Sequence, residues 1–217
     1  MTEATTTSIP KIGEPAPDFT AMTTHGELKF SEWTEGKWVI LFSHPADFTP
    51  VCSTELTEFA KRQAEFDKRN VKLIGLSIDS IHAHVAWREN LGSIFKTKIN
   101  YPMVADHNGS VAAKYGMIHP GASSTVTVRC VFVIDPKRIV RAIIYYPLNV
   151  GRNVDEVVRL VDALQTVDKH GVACPVNWKP GEKVIVPPPK TEKDVEARLA
   201  DKNLELNDFY LAKKSIS

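Results

Sequence analysis

Net charge is almost absent from this chain: lysine and arginine total 27 against 26 aspartates and glutamates. No electrostatic footprint therefore points to nucleic acid or an anionic membrane surface as a partner. Cysteine is scarce as well. The three thiols, Cys52, Cys130 and Cys174, are odd in number and widely spaced, which argues against a disulfide framework. No Cys-x-x-Cys pair occurs, because Ser53, Thr54 and Glu55 follow Cys52. His82 and His84 stand two apart, but no cysteine or carboxylate arrangement around them completes a zinc pattern, so no metal is expected. No apolar run approaches the length of a membrane span. Met1 to Ser8 are polar and threonine-rich, without the basic start and apolar core of a secretory signal. The expected location is cytoplasmic and reducing, where a thiol must be explained by burial, metal or chemistry.

What is present is an ordinary globular composition, 43% hydrophobic and 24% charged over 217 residues. That length suits one α/β domain of about 150–170 residues with an appendage. Trp38 to Phe42 is a continuous apolar run that reads as a buried strand and stops at Ser43-His44-Pro45. From Thr54 to Phe66, Leu56, Phe59, Ala60 and Phe66 recur at helical spacing, which sets Cys52 at or near a helix N-terminus. Val71 to Ser77 is a second buried strand, followed by a helix from about Asp79 to Asn90 with Ile81, Val85 and Trp87 on its apolar side. A weaker strand at Tyr101–Ala105, a short helix over Gly109–Tyr115 and a hairpin, Val126–Ile134 with Ile139–Tyr146 about Asp135-Pro136-Lys137, come next. An amphipathic helix carrying Val154, Val157, Val158, Val161 and Leu164 closes the domain, with Arg152, Asp155, Glu156 and Arg159 off its apolar face. Beyond about His170 the prolines, including Pro187-Pro188-Pro189, rule out a compact α/β layer and suggest an arm. Thr191–Lys202 is a short charged helix, and the exposed aromatics Phe209 and Tyr210 suit packing on a second subunit. The domain boundaries read as a flexible N-terminus at 1–9, an α/β domain at 10–168 and a C-terminal dimerisation arm at 169–217.

The chemistry concentrates in the run from Ser43 to Glu55, between a buried strand and a helix, where α/β sheets place their sites. A free thiol is only a few per cent ionised at neutral pH, so a working cysteine nucleophile needs its thiolate stabilised. Bringing a thiol from about 8.5 to about 6 takes roughly 3.4 kcal/mol. A helix N-terminus supplies at most about 2 kcal/mol, so a guanidinium must supply the rest. Thr49, three residues before Cys52, can bring a hydroxyl beside the sulfur, where it can both donate and accept a hydrogen bond. Pro45 and Pro50 fix φ and remove two amide hydrogens, which stiffens and shields the loop.

The pattern proline, three residues, threonine, two residues, cysteine, flanked by strand and helix, resembles that of the peroxiredoxins. The run SHPADFTPVCSTE is similar to their one-cysteine subfamily. The resemblance extends over GEPAPDF at 13–19, NVKLIGLSID at 70–79, YPMVAD at 101–106, TVRCVFVID at 127–135 and YYPLNVGRNVDEVVRLVDALQ at 145–165. It implies a thioredoxin-like α/β fold with a C-terminal proline-rich extension. It also implies a peroxidase without metal, haem or flavin that reduces hydrogen peroxide and small organic hydroperoxides through a Cys52 sulfenic acid. Thr49 would be the hydroxyl partner, Pro45 the loop shield and Arg129 the guanidinium, with strand alternation turning its neighbour Cys130 to the other face. An external thiol such as thioredoxin or glutathione would recycle the cysteine. The assembly would be a homodimer with the arm reaching across, or a ring of dimers.

HGVACPVNWKPGE resembles the resolving-cysteine segment of two-cysteine members, so Cys174 of one subunit is a candidate to capture the Cys52 sulfenic acid of its partner in an intersubunit disulfide. Some one-cysteine members add phospholipase activity through a serine in a Gly-x-Ser-x-Gly-like turn. Glu35-Gly36-Lys37-Trp38-Val39 lacks that serine. Plainer roles stand beside these. Thr49 also suits a helix cap, Arg129 a structural ion pair, Glu55 a helix-dipole partner that could reach the arginine, His44 a pocket or structural position, and Cys130 a buried spectator. His82, His84, His107 and His119 read as surface or core histidines. A thiol-disulfide oxidoreductase would need a vicinal dithiol. A redox sensor or holdase would use the same oxidation of Cys52 but would stall after one turnover.

Overall fold

The run Trp38–Ser43 forms a strand in which all six residues are buried. A strand covered on both faces has no polar alternation to display, which is why the sequence shows a continuous apolar block there. The computed structural model describes residues 9–216; the flexible segment expected at 1–9 lies almost wholly outside the described residues. The chain divides into two compact units, one up to Val154 and one from Asp155.

In the first unit the order is β1 (Thr20–Thr23), β2 (Gly26–Lys29), α1 (Phe30–Trp33), β3 (Trp38–Ser43), α2 (Pro50–Lys61), α3 (Gln63–Lys68), β4 (Val71–Ser77), α4 (Ile81–Phe95), β5 (Met103–Ala105), α5 (Ser110–Lys114), β6 (Arg129–Ile134) and β7 (Val140–Tyr146). They build a seven-stranded sheet ordered β2-β1-β5-β4-β3-β6-β7. The central β3, β4 and β5 run parallel, and β6 joins β3 antiparallel. This is the thioredoxin-like α/β arrangement. The hairpin is present as β6–β7, with Arg129 opposite Tyr146 and Cys130 opposite Tyr145. One buried cluster takes Cys130, Phe132 and Ile134 from β6, Val39 and Leu41 from β3, and Ile74 and Leu76 from β4. Alternation therefore sends Arg129 to the other face.

Two helices differ from the periodic reading. The helix bearing Cys52 starts at Pro50 rather than Thr54 and breaks at Arg62, whose ψ of 7° separates α2 from α3. Proline tolerates the first helical position because its missing N–H would have no intrahelical partner there. In α4 the buried face is His84, Trp87 and Leu91, while Val85 is 49% exposed. The helical spacing is right, but the stripe is centred on a histidine rather than on the two branched aliphatics.

The second unit holds most of α6 (Val154–His170), then β8 (Val184–Val186), α7 (Glu192–Ala200), β9 (Glu205–Asp208) and β10 (Leu211–Lys214). The expectation that the prolines exclude a compact layer is overturned: β8, β10 and β9 pair antiparallel in a three-stranded sheet. Proline is compatible with this because Pro187-Pro188-Pro189 begins where β8 ends. Arg198 of α7 donates to the Pro187 carbonyl at 2.6 Å, fastening the turn. Trp178 is the anchor of this unit, 1% exposed, packed with Ala163, Val172 and Val184, its indole N–H donating to Glu182 O at 3.1 Å. Trp178→Ala should cost about 3–5 kcal/mol, the usual range for emptying a buried tryptophan site. The measurement is the urea midpoint followed by circular dichroism; an unchanged midpoint would mean that the indole does not hold the unit together.

Candidate active site

Cys52 is the third residue of α2 and has no accessible surface. Thr49 occupies the N-cap position in extended geometry, but its hydroxyl donates to Ala46 O at 2.8 Å and makes no cap bond. The hydroxyl thus folds the loop on itself and leaves its lone pairs free. Pro45 is half-buried in this loop and Pro50 opens the helix. Phe48 lies between them at φ 56°, in the left-handed region that a phenylalanine seldom occupies, and is 60% exposed.

Arg129, the first residue of the buried strand β6, brings its Nη1 to 3.2 Å from Cys52 Sγ. Its Nε and Nη2 donate to Leu148 O at 3.0 and 2.7 Å, which orients the guanidinium plane. Glu55 follows one turn after Cys52. The Glu55 Oε2 accepts from Arg129 Nη1 at 2.6 Å and from Arg152 Nη2 at 2.8 Å. Its Oε1 accepts the Arg152 backbone N–H at 2.7 Å and Nε at 2.8 Å. Arg152 Nη1 donates onward to Ser43 O at 2.8 Å and Cys130 O at 2.9 Å, so one side chain ties the ends of β3 and β6 to α2. The Arg152 guanidinium also lies over the rings of Phe42 and Phe59, 5.2 and 5.7 Å from their centroids. All three ionic side chains are buried. Two cations and one anion leave one positive charge, and the Cys52 sulfur is the group facing it.

Of the residues singled out in the sequence, Cys52 and Arg129 come together directly, and Thr49 and Pro45 stand in the adjoining loop. Glu55 does more than meet a helix dipole: α2 begins at Pro50, so its first turn holds no acidic residue and Glu55 is turned into the arginine pair. Arg152 was missed. It precedes α6 rather than decorating its polar side, and the only hint of its burial was its place in the Gly151-Arg152-Asn153 approach. Cys130 is a buried neighbour of Ser43, 3.2 Å from its hydroxyl, and burial pushes its thiol up to about 11. Cys174 lies in the second unit, half-buried, its sulfur 3.7 Å from Ala163 O and its thiol likewise pushed up by burial.

A second polar cluster escaped the sequence reading. His44 Nε2 lies 2.8 Å from Asp47 Oδ1, and His84 Nδ1 lies 2.7 Å from Asp47 Oδ2. The three residues also meet the spatial requirement for metal ligands. Their nitrogen–oxygen separations are those of hydrogen bonds.

Burial alone would raise the carboxyl of Glu55, but the charge and hydrogen bonds of Arg152, with the charge of Arg129, outweigh it and hold the group below its ordinary value of 4.5. The folded state therefore keeps a carboxylate at a pH where the unfolded chain protonates. That contribution is complete above 4.5 and is lost as pH falls through the lower folded value. Glu55→Gln should lower stability by about 3–5 kcal/mol at neutral pH, because it leaves two buried cations unpaired. The difference in urea midpoint between wild type and variant should narrow below pH 4.5. A pH-independent difference would remove Glu55 from this role.

Residues 12–143 match the model of the AhpC/TSA family, and residues 163–202 match the C-terminal domain of 1-Cys peroxiredoxin. A peroxiredoxin of Aquifex aeolicus is 55% identical over 219 residues, covering 96% of this chain and 98% of that protein. A solved yeast mitochondrial 1-Cys peroxiredoxin superposes with a TM-score of 0.87 at 42% identity, covering 96% of this chain and 100% of that one. A cysteine-to-serine variant of the Peroxiredoxin 6 of Arenicola marina gives 0.86 at 36% identity, covering 94% and 97%. The chain belongs to the peroxiredoxins, the family of thiol-dependent peroxidases.

Proposed function

We propose that Cys52 is the residue that reduces the peroxide, with Arg129 as its charge partner and Thr49 as the hydroxyl that positions the O–O bond. The observation that carries this is the single uncompensated positive charge of the Glu55–Arg129–Arg152 cluster, whose Arg129 Nη1 faces Cys52 Sγ at 3.2 Å. The thiolate attacks one peroxide oxygen, an S–O bond forms as O–O breaks, and the departing oxide takes a proton to leave as water or an alcohol. Arg129 stabilises the anion that attacks and the charge that develops on the leaving oxygen. Pro45 keeps the loop stiff around this geometry. Hydrogen peroxide and small organic hydroperoxides are its substrates in this reading, in keeping with the peroxiredoxin family. Cys52→Ser should abolish peroxide consumption, and Arg129→Met should slow it about 100- to 1,000-fold, the usual cost of removing one charge-stabilising donor. Peroxide loss would be followed with thioredoxin and, separately, with glutathione as reductant. Full activity in Cys52→Ser would overturn the assignment.

The half-buried thiol of Cys174, with its sulfur 3.7 Å from the Ala163 carbonyl, favours a second step in which Cys174 of one subunit attacks the Cys52 sulfenic acid of another, forming an S–S bond and releasing water. In that reading the protein is a homodimer, alone or in a ring, the segment 169–217 is its dimerisation arm, and its cytoplasmic setting supplies the thiol. After one equivalent of peroxide, non-reducing electrophoresis should give a band of twice the monomer mass that Cys174→Ser does not form. A monomeric band in wild type would leave reduction of Cys52 to an external thiol alone.

A further inference from the structure

Of the three thiols Cys174 is the partly accessible one, and bonds made within the second unit fix its place. Its neighbour Ala173 exchanges both backbone bonds with Ile185 of β8, at 2.9 and 2.8 Å, in the manner of a hydrogen-bonded antiparallel pair. Alternation turns Val172 and Cys174 to one face of this short extended stretch. Both meet the cluster of Ala163, Trp178 and Val184 there.

The side of α6 that faces this stretch carries Ala163 and, one turn earlier, Arg159. The Cys174 thiol donates to Ala163 O across 3.7 Å, and Arg159 Nη1 donates to Trp178 O at 3.4 Å. The segment 174–178 is therefore fastened to α6 at both ends, and the Trp178 N–H closes the turn between them on Pro175 O at 3.2 Å. Glu156 takes the other edge of the guanidinium, from Nε at 2.5 Å and from Nη2 at 2.8 Å. Nη1 is thus the part of Arg159 turned towards the segment. Burial pushes the Cys174 thiol up, and the charge of Arg159 opposes it. Among the described residues Arg159, backed by Glu156, is the charged group that acts on this sulfur; β8 brings Val184 against the cluster, the turn brings Trp178 and the chain end brings Ile216, all uncharged.

We propose that Arg159 is a positioning residue for the resolving step: it holds the 174–178 turn on α6 and supplies the positive charge for the Cys174 thiolate that attacks the Cys52 sulfenic acid. This rests on Cys174 being the resolving thiol. In that step the Cys174 thiolate attacks the Cys52 sulfur of another subunit, S–S forms, S–O breaks, and the departing hydroxide takes a proton to leave as water. The thiol has to ionise first. A thiolate donates nothing, so ionisation ends the bond to Ala163 O and sets two electron-rich atoms against each other. Arg159 is the group that can receive the anion as it leaves that carbonyl. Loss of the proton therefore activates the sulfur and unpins it in one event, while the Ala173–Ile185 bridge and the buried Trp178 keep the backbone in place.

The test is the rate at which iodoacetamide alkylates Cys174 as a function of pH in the reduced full-length protein, read by peptide mass spectrometry so that Cys52 and Cys130 are counted separately. The midpoint of that profile reports ionisation, and its plateau at high pH reports access. Arg159→Gln should raise the midpoint by about one pH unit, the lower end of what a neighbouring opposite charge does, and so slow alkylation at neutral pH about tenfold. Arg159→Lys, which keeps the charge, should restore the midpoint. A residue that only packs would alter the plateau and leave the midpoint where it is. If Arg159→Gln fails to fold by circular dichroism, Glu156→Gln takes its place: freeing the guanidinium of its anion should lower the midpoint. An unshifted midpoint in a folded variant overturns the proposal. A wild type that gives no disulfide-linked dimer after peroxide overturns the resolving role of Cys174 instead, and the alkylation profile tells the two failures apart.

Discussion

The carboxylate of Glu55, shared between two buried guanidiniums, is the interaction on which the first unit of this peroxiredoxin depends. It joins α2 to the strand ends through Arg152, and to the Cys52 sulfur through Arg129. Burying ions costs several kcal/mol each unless their bonds are satisfied. Here Arg152 spends every guanidinium nitrogen on Glu55 or on backbone carbonyls, and Arg129 divides its own among Leu148 O, Glu55 and Cys52. The cluster retains one positive charge, and the Cys52 sulfur is the group that faces it.

Much of this was legible in the sequence, for identifiable reasons. The central strands are buried on both faces and so write themselves as unbroken apolar runs. The Cys52 segment is contiguous, with proline, threonine and cysteine within eight residues. The need for a guanidinium followed from energy arithmetic, but its assignment to Arg129 followed from family resemblance, since 77 residues separate it from Cys52. Arg152 was not legible: it stands 97 positions after Glu55, and a charged residue at the approach to an amphipathic helix looks solvated. His84 was hidden differently. Its helix was predicted, but Val85 took the apolar position in the reading while His84, bonded to Asp47, took it in the fold. The sheet of the second unit was hidden by its prolines, which mark the edges of short strands as readily as they mark disorder.

The two buried polar clusters differ in what they fasten, and that difference bears on function. The Glu55 network joins α2 to the ends of β3 and β6 through Arg152, which stands just before α6. The Asp47 network holds a loop in which Pro45 and Pro50 have no N–H to offer, so side chains must do what a backbone ladder does elsewhere. A loop held by apolar packing would open only by exposing core, and one held by ladder bonds would open only with its sheet. A loop held by a few charged side-chain bonds can open alone, because water replaces those bonds when they break. Glu55 and Arg152 lie beyond the loop, so the bonds that hold residues 44–49 and those that hold the charge cluster are made by separate side chains.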